Sequence, residues 1–243
     1  MTHATYLRYE TLRMLRNWKF LVFSLAFPLI LFLVIAGPRR HENIDGVSVP
    51  LYFMTGMAAW GTMSAVVASG ARIAAERAAG WTRQMRITPL PERTYFGGKI
   101  LGGYGMALVS IAALYLAGTA FGVRLAAHEW LTMTGLILVA LIPFAVLGIL
   151  LGHLLRIDAI GPALGGVVTL FALLGGAWGP LASGGVLHKI IEWVPSYWLV
   201  QAGTSAMGHG GWPPARAWIV VAAWTAALAL LAMRAYRRDT ARS

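Results

Sequence analysis

Few residues of the types that do chemistry occur in this chain, and their spacing matches no catalytic or metal-binding motif. There is no cysteine, which excludes disulfides and thiolate metal sites. The six His residues, at positions 3, 41, 128, 153, 188 and 209, have no ligand spacing to one another or to an acid. His153 and Asp158 are the nearest candidate pair for an intramembrane enzyme, and no nucleophile elbow or Ser/His/Asp order accompanies them. The sequence therefore favours a function other than catalysis.

A glycine-lysine run at residues 96–100, FGGKI, is the nearest approach to a phosphate-binding loop. Such a loop needs a glycine six residues before its lysine and Ser or Thr directly after it. Arg93 and Ile100 occupy those two positions. We therefore expect no ATP site of this kind, and we interpret the run as a flexible entry to a membrane helix. The Lys99 side chain is then expected to reach the membrane surface.

The composition indicates that these residues belong to an all-α integral membrane protein. Of the 243 residues, 58% are hydrophobic and only 12% are charged, and the mean hydropathy is +0.67. A soluble domain carries about a quarter charged residues, because most of its helices need a polar face. The chain is too apolar for that class.

Six segments are predicted to span the membrane as helices, since about 20 apolar residues cross a bilayer core. They are residues 20–37, 51–70, 100–122, 130–151, 159–180 and 217–233. A cleaved signal peptide is the alternative for the first, but the basic region of 19 residues before it favours a retained span. Between their ends the segments contain no Asp, Glu, Lys, Arg or His. Transport driven by ions usually needs such groups at membrane depth, so we expect the energy for transport to enter from outside the bilayer.

Small residues at helix-packing spacing predict close contacts between these spans. Gly pairs four residues apart occur at 98/102, 118/122, 148/152 and 161/165, and Gly61, Ala65 and Ser69 form a further small stripe. Such faces let helices approach closely, within one chain or across a dimer. Pro28, Pro143 and Pro162 are candidate kinks.

The net charge of +11 is explained by membrane orientation better than by nucleic-acid binding. If the N-terminus is cytoplasmic, 15 of the 20 Lys and Arg residues lie in cytoplasmic segments, whereas the acids divide five inside and four outside. Lys and Arg concentrated on one side of the membrane, with Asp and Glu divided almost evenly, are typical of the positive-inside rule. We therefore predict a multi-pass protein of the cell membrane with both termini in the cytoplasm, in contact with lipids and not with nucleic acid.

Residues 1–19 are predicted to form an amphipathic helix on the cytoplasmic membrane surface. Leu7, Met14, Leu15 and Trp18 share one helical face, whereas Arg8, Arg16 and Lys19 group elsewhere. The alternative is a basic region that only orients the first span.

The longest predicted cytoplasmic segment, residues 71–99, contains a short basic helix between two breakers. Gly80 is expected to end the helix of the second span, and Thr82 to cap a new helix over residues 82–88 that Pro89 stops. Trp81, Met85 and Thr88 share one of its faces, and Arg83 and Arg86 share another. This short helix has two interpretations. Its cations could bind anionic lipid headgroups, or its apolar side chains could insert into a groove on a cytoplasmic partner.

Residues 76–90, ERAAGWTRQMRITPL, resemble the cytoplasmic loop of ABC-2 type permeases, whose pattern is roughly E-x-E-x-G-T-L-x-x-L-x-x-T-P. Glu76, Gly80, Met85, Thr88 and Pro89 match it. Ala78 replaces the second acid, and Trp81-Thr82 stands where Thr-Leu is more usual. A proline-aromatic run at residues 195–198, PSYW, precedes the last span as it often does in this family. The chain is therefore identified as similar to the drug-resistance and polysaccharide-export permeases of ABC exporters.

The resemblance implies a single transmembrane domain over residues 1–243, with six spans. It also implies a coupling helix between spans two and three, and outer re-entrant or interfacial helices within residues 181–216. An aromatic belt at the membrane surface also fits the outer segment. The permease would pair with a second half, a copy or a paralogue, and with ATP-binding subunits that carry ATP and Mg²⁺, so this chain itself needs no cofactor. The implied cargo is an amphiphilic drug, lipid or lipid-linked glycan moved outward, and an ion-coupled secondary transporter or channel is the alternative.

The resemblance also assigns two sets of site residues. The residues expected to couple to the ATP-binding subunit are Glu76, Gly80, Trp81, Thr82, Arg83, Met85, Arg86, Thr88 and Pro89. The aromatic side chains expected to contact the cargo are Trp60, Phe171, Trp178, Trp193 and Trp198.

Overall fold

The computed structural model describes residues 12, 25–44, 46–81, 91–179, 184–206 and 212–241. These residues are mostly helical. In chain order the elements are α1 Phe27–Ala36, β1 Asn43–Ile44, β2 Val47–Ser48, α2 Val49–Ala78, α3 Glu92–Ala120, α4 Ala127–Ala140, α5 Ile142–Leu154, α6 Ile157–Gly175, α7 Gly185–Ile191, α8 Pro195–Ala206 and α9 Ala215–Ala241. The two short strands pair antiparallel, with Asn43 opposite Ser48.

Among the described residues, five stretches of helix are long and apolar enough to cross a membrane, and they coincide with the second to sixth predicted spans. They are Val49–Ala78, Arg93–Ala120, Ala127–Leu154, Ile157–Gly175 and Ala215–Asp239. Helix α1 lies within the first predicted span and is shorter than a membrane crossing. Residues 13–24 and the predicted surface helix over residues 1–19, apart from Leu12, lie outside the described residues. The protein is therefore a multi-pass membrane protein, and its first span stays a prediction.

Helix α2 is the central element of the bundle. It packs against α1, α3, α5, α6 and α8. In the most apolar part of α2, 78% of the residues are buried inside the protein, whereas in the corresponding part of α6 only 11% are buried. Its sequence is rich in Gly, Ala, Ser and Thr, which let neighbouring backbones come close. Since 30 residues of helix extend about 45 Å and a bilayer core measures about 30 Å, part of α2 projects beyond the membrane.

Helices α2 and α5 cross at glycines with almost no space between their backbones. A Cβ atom on Gly148 would lie 2.4 Å from the Val67 carbonyl oxygen, and one on Gly70 would lie 2.4 Å from the Ile149 nitrogen. A Cβ on Gly152 would lie 2.7 Å from the Gly70 oxygen. The predicted packing role of the 148/152 pair is therefore confirmed. A Cβ on Gly161 or Gly165, in contrast, would meet nothing within 4 Å in the described structure.

The fourth predicted span is interrupted next to Pro143, where the sequence predicts a kink. Helix α4 ends at Ala140, Leu141 forms a turn, and α5 begins at Ile142 with the proline in its first positions. Proline cannot donate the backbone hydrogen bond that would continue the helix. Pro162 lies inside α6, which continues through it.

The described part of the segment between α6 and α9 forms two short helices, α7 and α8. Helix α8 packs against α2, α4 and α6 within the bundle. A Cβ on Gly175 would lie 2.7 Å from the Ser196 oxygen, and one on Gly203 would lie 2.2 Å from Cγ2 of Thr55. Glycine thus permits both close approaches. The position of these helices relative to the membrane surface stays a prediction.

Candidate functional site at the basic end of the bundle

The predicted coupling segment begins at the end of α2, and the structure describes only its first residues. Helix α2 ends at Ala78, and Gly80 follows with a φ of +70°, a conformation that favours glycine. The predicted stop of the helix at this glycine is confirmed. Trp81 is exposed. Thr82, Arg83, Met85, Arg86, Thr88 and Pro89 lie outside the described residues, so the coupling helix itself stays a prediction.

Glu76 and Lys99 form a buried ion pair across the base of this segment. Nζ of Lys99 lies 2.5 Å from Oε1 of Glu76, and the two side chains are only 1% and 7% exposed. The hydroxyl of Tyr95 donates to the other carboxylate oxygen, Oε2, at 2.6 Å. Ser69 Oγ donates to the Lys99 carbonyl oxygen at 2.6 Å. The end of α2 is therefore fastened to the start of α3 by charge and hydrogen bonds.

The placement of Lys99 corrects the sequence-based expectation. A lysine that reaches the membrane surface would have an exposed amine. The amine of Lys99 is instead buried and is directed to the Glu76 carboxylate. Sequence reasoning missed the pair because each residue was assigned to a separate helix end. One signal was available: residues of opposite charge stand on the two helices that this segment joins. Because the two helices run antiparallel, their residues near the segment lie side by side.

Arg77, the next residue of α2, joins that helix to α5 and α9. Its Nη1 atom donates to the carbonyl oxygens of Gly152 at 3.2 Å and His153 at 2.9 Å, next to the C-terminus of α5. The last carbonyls of a helix have no partner within the helix, and a cation there also interacts favourably with the helix dipole. Nη2 of Arg77 lies 2.6 Å from Oδ1 of Asp239, and Nδ1 of His153 lies 3.2 Å from Oδ2 of that carboxylate.

The pairing of His153 argues against the candidate catalytic pair. Asp158 forms an ion pair with Arg156 at 3.8 Å, and both side chains are largely exposed. The partner of His153 is Asp239, whose other oxygen binds Arg77. The His153 ring also contacts Phe96 and Tyr236, with ring centroids 6.0 and 5.4 Å away. These contacts join the ends of α5 and α9 to the start of α3, so His153 serves to hold helices together.

These contacts place the ends of α2, α5 and α9 and the start of α3 at one end of the bundle. Its exposed surface is basic and includes Arg93, Arg156, Arg234, Arg237 and Arg238. These are cations of the segments that the sequence predicts to be cytoplasmic. No group of three or more His, Cys, Asp or Glu residues in the described part of the chain could hold a metal ion. The ion pairs and hydrogen bonds at this end therefore link four helices, α2, α3, α5 and α9.

The structure gathers the predicted cargo residues into two groups. Trp60 stacks edge-on with Trp178 at 5.5 Å and with Phe27 at 5.0 Å. The Nε1 atom of Trp178 is buried and has no hydrogen-bond acceptor in the described structure. Phe27 was not predicted, because only the fold brings the first span to this position.

The second group surrounds Trp224, which sequence reasoning also missed. Its ring lies 5.9 Å from Phe171, and its Nε1 donates to the Trp193 carbonyl oxygen at 2.9 Å. Trp198 Nε1 donates to the Glu192 carbonyl oxygen at 2.8 Å. The carboxylate of Glu192 also pairs with Arg216 at the start of α9. Trp193 and Trp198 thus hold α7, α8 and α9 together.

Comparisons with known proteins agree with this architecture. The sequence profile described as ABC-2 family transporter protein matches residues 40–234. The chain is also 28% identical over 236 residues to the protein named "Putative transport permease YvfS" of Bacillus subtilis (strain 168), with 96% of each chain covered. The profile spans most of the chain, including the end of α2, the following segment and the helices fastened to it. The chain therefore belongs to the ABC-2 family of transporter proteins and is a transport permease of the membrane.

Proposed function

We propose that this permease is the transmembrane subunit of an ATP-driven exporter and that it moves an amphiphile outward. ATP and Mg²⁺ bind and ATP is hydrolysed in a separate subunit, which docks on the basic end of the bundle from the cytoplasm. The observation that carries this proposal is the joining of the end of α2 to three other helices, directly before the short basic segment of residues 82–89. The N- and C-termini are cytoplasmic in this arrangement, in agreement with the distribution of cations.

The contacts at this end explain how a cytoplasmic subunit could act on the membrane helices. A segment gripped by a partner displaces the bundle only if its ends are attached firmly. Glu76 attaches one end to α3, and Arg77 attaches it to α5 and α9. A displacement of the segment therefore reaches four helices, whose packing changes between two states as ATP binds and is hydrolysed.

The described surface favours an amphiphilic cargo and a second permease half. Large apolar side chains of α6 and α9 are exposed, among them Leu170, Leu173, Ile219, Leu230 and Leu231. In a membrane protein such faces meet lipid or another transmembrane subunit. The aromatic group of Phe27, Trp60 and Trp178 offers rings for the apolar part of a cargo. The buried indole N–H of Trp178, which has no acceptor among the described residues, supplies a donor for a polar part.

The test is a variant with Arg83→Glu and Met85→Asp, which reverses one cation and removes one apolar knob of the predicted coupling helix. The ATP-binding subunit to use is a P-loop protein of about 200–330 residues encoded in a neighbouring reading frame. The matched control is Arg124→Glu, which reverses an exposed cation at the opposite end of the bundle. Association is measured by co-purification, and transport by ATP-dependent uptake of a fluorescent amphiphile into inverted vesicles.

We expect the double variant to lose association and transport, and the control to keep both. Unchanged association and transport in the double variant would overturn the proposal. Uptake by vesicles that contain only this chain, under an ion gradient without ATP, would favour the secondary transporter or channel.

A further inference from the structure

Helices α2 and α3 run antiparallel and touch along their length. The contacts are, from the basic end inward, Glu76 to Lys99, Ser69 to the Lys99 carbonyl, Ser69 and Val66 to Gly103, and Met54 to Gly118. The segment of residues 79–91 joins the two helices at the basic end. Any force on that segment therefore acts on both helices.

The ion pair at the base of this segment is not explained by stability alone. A buried pair loses the solvation of both charges, and its replacement by apolar residues is often neutral or stabilising. Removal of one partner is strongly unfavourable because the other charge is left buried without compensation. Such a pair is better suited to specifying how two helix ends are joined than to increasing stability.

We propose that Glu76, Lys99 and Tyr95 form a clamp that makes α2 and α3 move as one body during transport. This inference rests on the proposed function, in which a partner displaces the intervening segment. The three residues are positioning residues, and they touch neither cargo nor nucleotide. Because the Glu76 carboxylate is directed to Lys99 and Tyr95 and is almost fully buried, it acts through them and does not contact the ATP-binding subunit.

The first test replaces both charges, with Glu76→Gln and Lys99→Met in one variant. This change leaves no unpaired buried charge, so the protein is expected to fold and to bind its ATP-binding subunit. The matched control is Arg39→Gln with Glu42→Gln, which removes an exposed pair at the opposite end of the bundle. The measured quantity is cargo transported per ATP hydrolysed by the assembled complex.

We expect the clamp variant to hydrolyse ATP while its transport per ATP falls about 2- to 30-fold, the range seen for residues that carry coupling between sites. The exchanged pair, Glu76→Lys with Lys99→Glu, should recover part of that loss, and the control should behave as the wild type. Wild-type transport per ATP in the clamp variant would overturn the clamp. Failure of the proposed function is distinguishable, since the wild-type complex would then show no ATP-dependent transport.

A cross-link provides a second test that does not depend on the folding of the clamp variant. A Cβ on Gly103 would lie 3.0 Å from the Ser69 Cβ, so a small adjustment brings cysteines at these two positions to the 3.5–4.5 Å typical of a disulfide. The chain has no other cysteine. If α2 and α3 move as one body, the oxidised variant transports as well as its reduced form, which is the control. Loss of transport on oxidation, with recovery on reduction, would overturn the proposal.

Discussion

The glycine crossing of α2 and α5 gives a quantitative prediction for Gly148→Ala. The new Cβ would lie 2.4 Å from the Val67 carbonyl oxygen and 2.8 Å from the Val67 Cα, whereas ordinary contacts are 3.4–4 Å. Both atoms belong to backbone, so no side-chain rotation relieves the clash. The two helices must separate by about 1 Å, which breaks the close packing on which their association in the membrane depends.

The expected magnitude follows from a comparison with two other glycines in helices. Overpacking of a well-packed core costs about 1–3 kcal/mol. Alanine also improves helix propensity by about 0.5–1 kcal/mol, and Gly161→Ala measures this gain alone because its Cβ meets nothing within 4 Å. Gly118→Ala should be intermediate, since the clashing atom is the sulfur of Met54, which can move. Gly148→Ala is therefore expected to be about 1–3 kcal/mol less stable than Gly161→Ala.

The assay is the thermal midpoint of the purified protein in detergent, measured by fluorescence-detected size-exclusion chromatography after heating. A destabilisation of 1–3 kcal/mol lowers the midpoint by roughly 2–12 °C for a chain of this size. We expect the order Gly161→Ala, Gly118→Ala, Gly148→Ala from the highest midpoint to the lowest. A Gly148→Ala midpoint no lower than that of Gly161→Ala would refute the packing of α2 against α5.

Three further predictions concern single contacts. Asp239→Asn should lower the thermal midpoint, because Arg77 and His153 lose the carboxylate that joins α9 to α2 and α5. Asp158→Asn, in an exposed pair, should leave the midpoint unchanged, and equal midpoints in the two variants would contradict the role of Asp239. Tyr52→Phe removes the hydrogen bond to the Gly176 carbonyl oxygen and should lower stability by about 1 kcal/mol, read as a lower thermal midpoint. Burial raises the pKa of the Tyr197 phenol above its ordinary value. The stability that the neutral phenol contributes is therefore complete below the ordinary pKa and is lost as the pH rises through the raised pKa. The alkaline unfolding of Tyr197→Phe should depend less on pH than that of the wild type.

The membrane class, five of the spans and the end of α2 before Gly80 could be predicted from the amino-acid sequence. Each of these depends on local properties. A run of about 20 apolar residues has few alternatives to a membrane helix, and Gly80 and Pro143 act on their own backbone. The packing role of Gly148 and Gly152 could also be predicted, because small residues four positions apart form a face on which a neighbouring helix packs.

The contacts between side chains of different helices could not be predicted, because they depend on how the helices pack. Lys99 is buried against Glu76, and His153 binds Asp239, 86 residues away, and not Asp158. Trp60 with Trp178, and Phe171 with Trp224, likewise come from different helices. Such pairs depend on the rotation of each helix about its axis and on the order in which helices pack. Hydropathy fixes neither, because it is the same for every rotation of a helix in the bilayer.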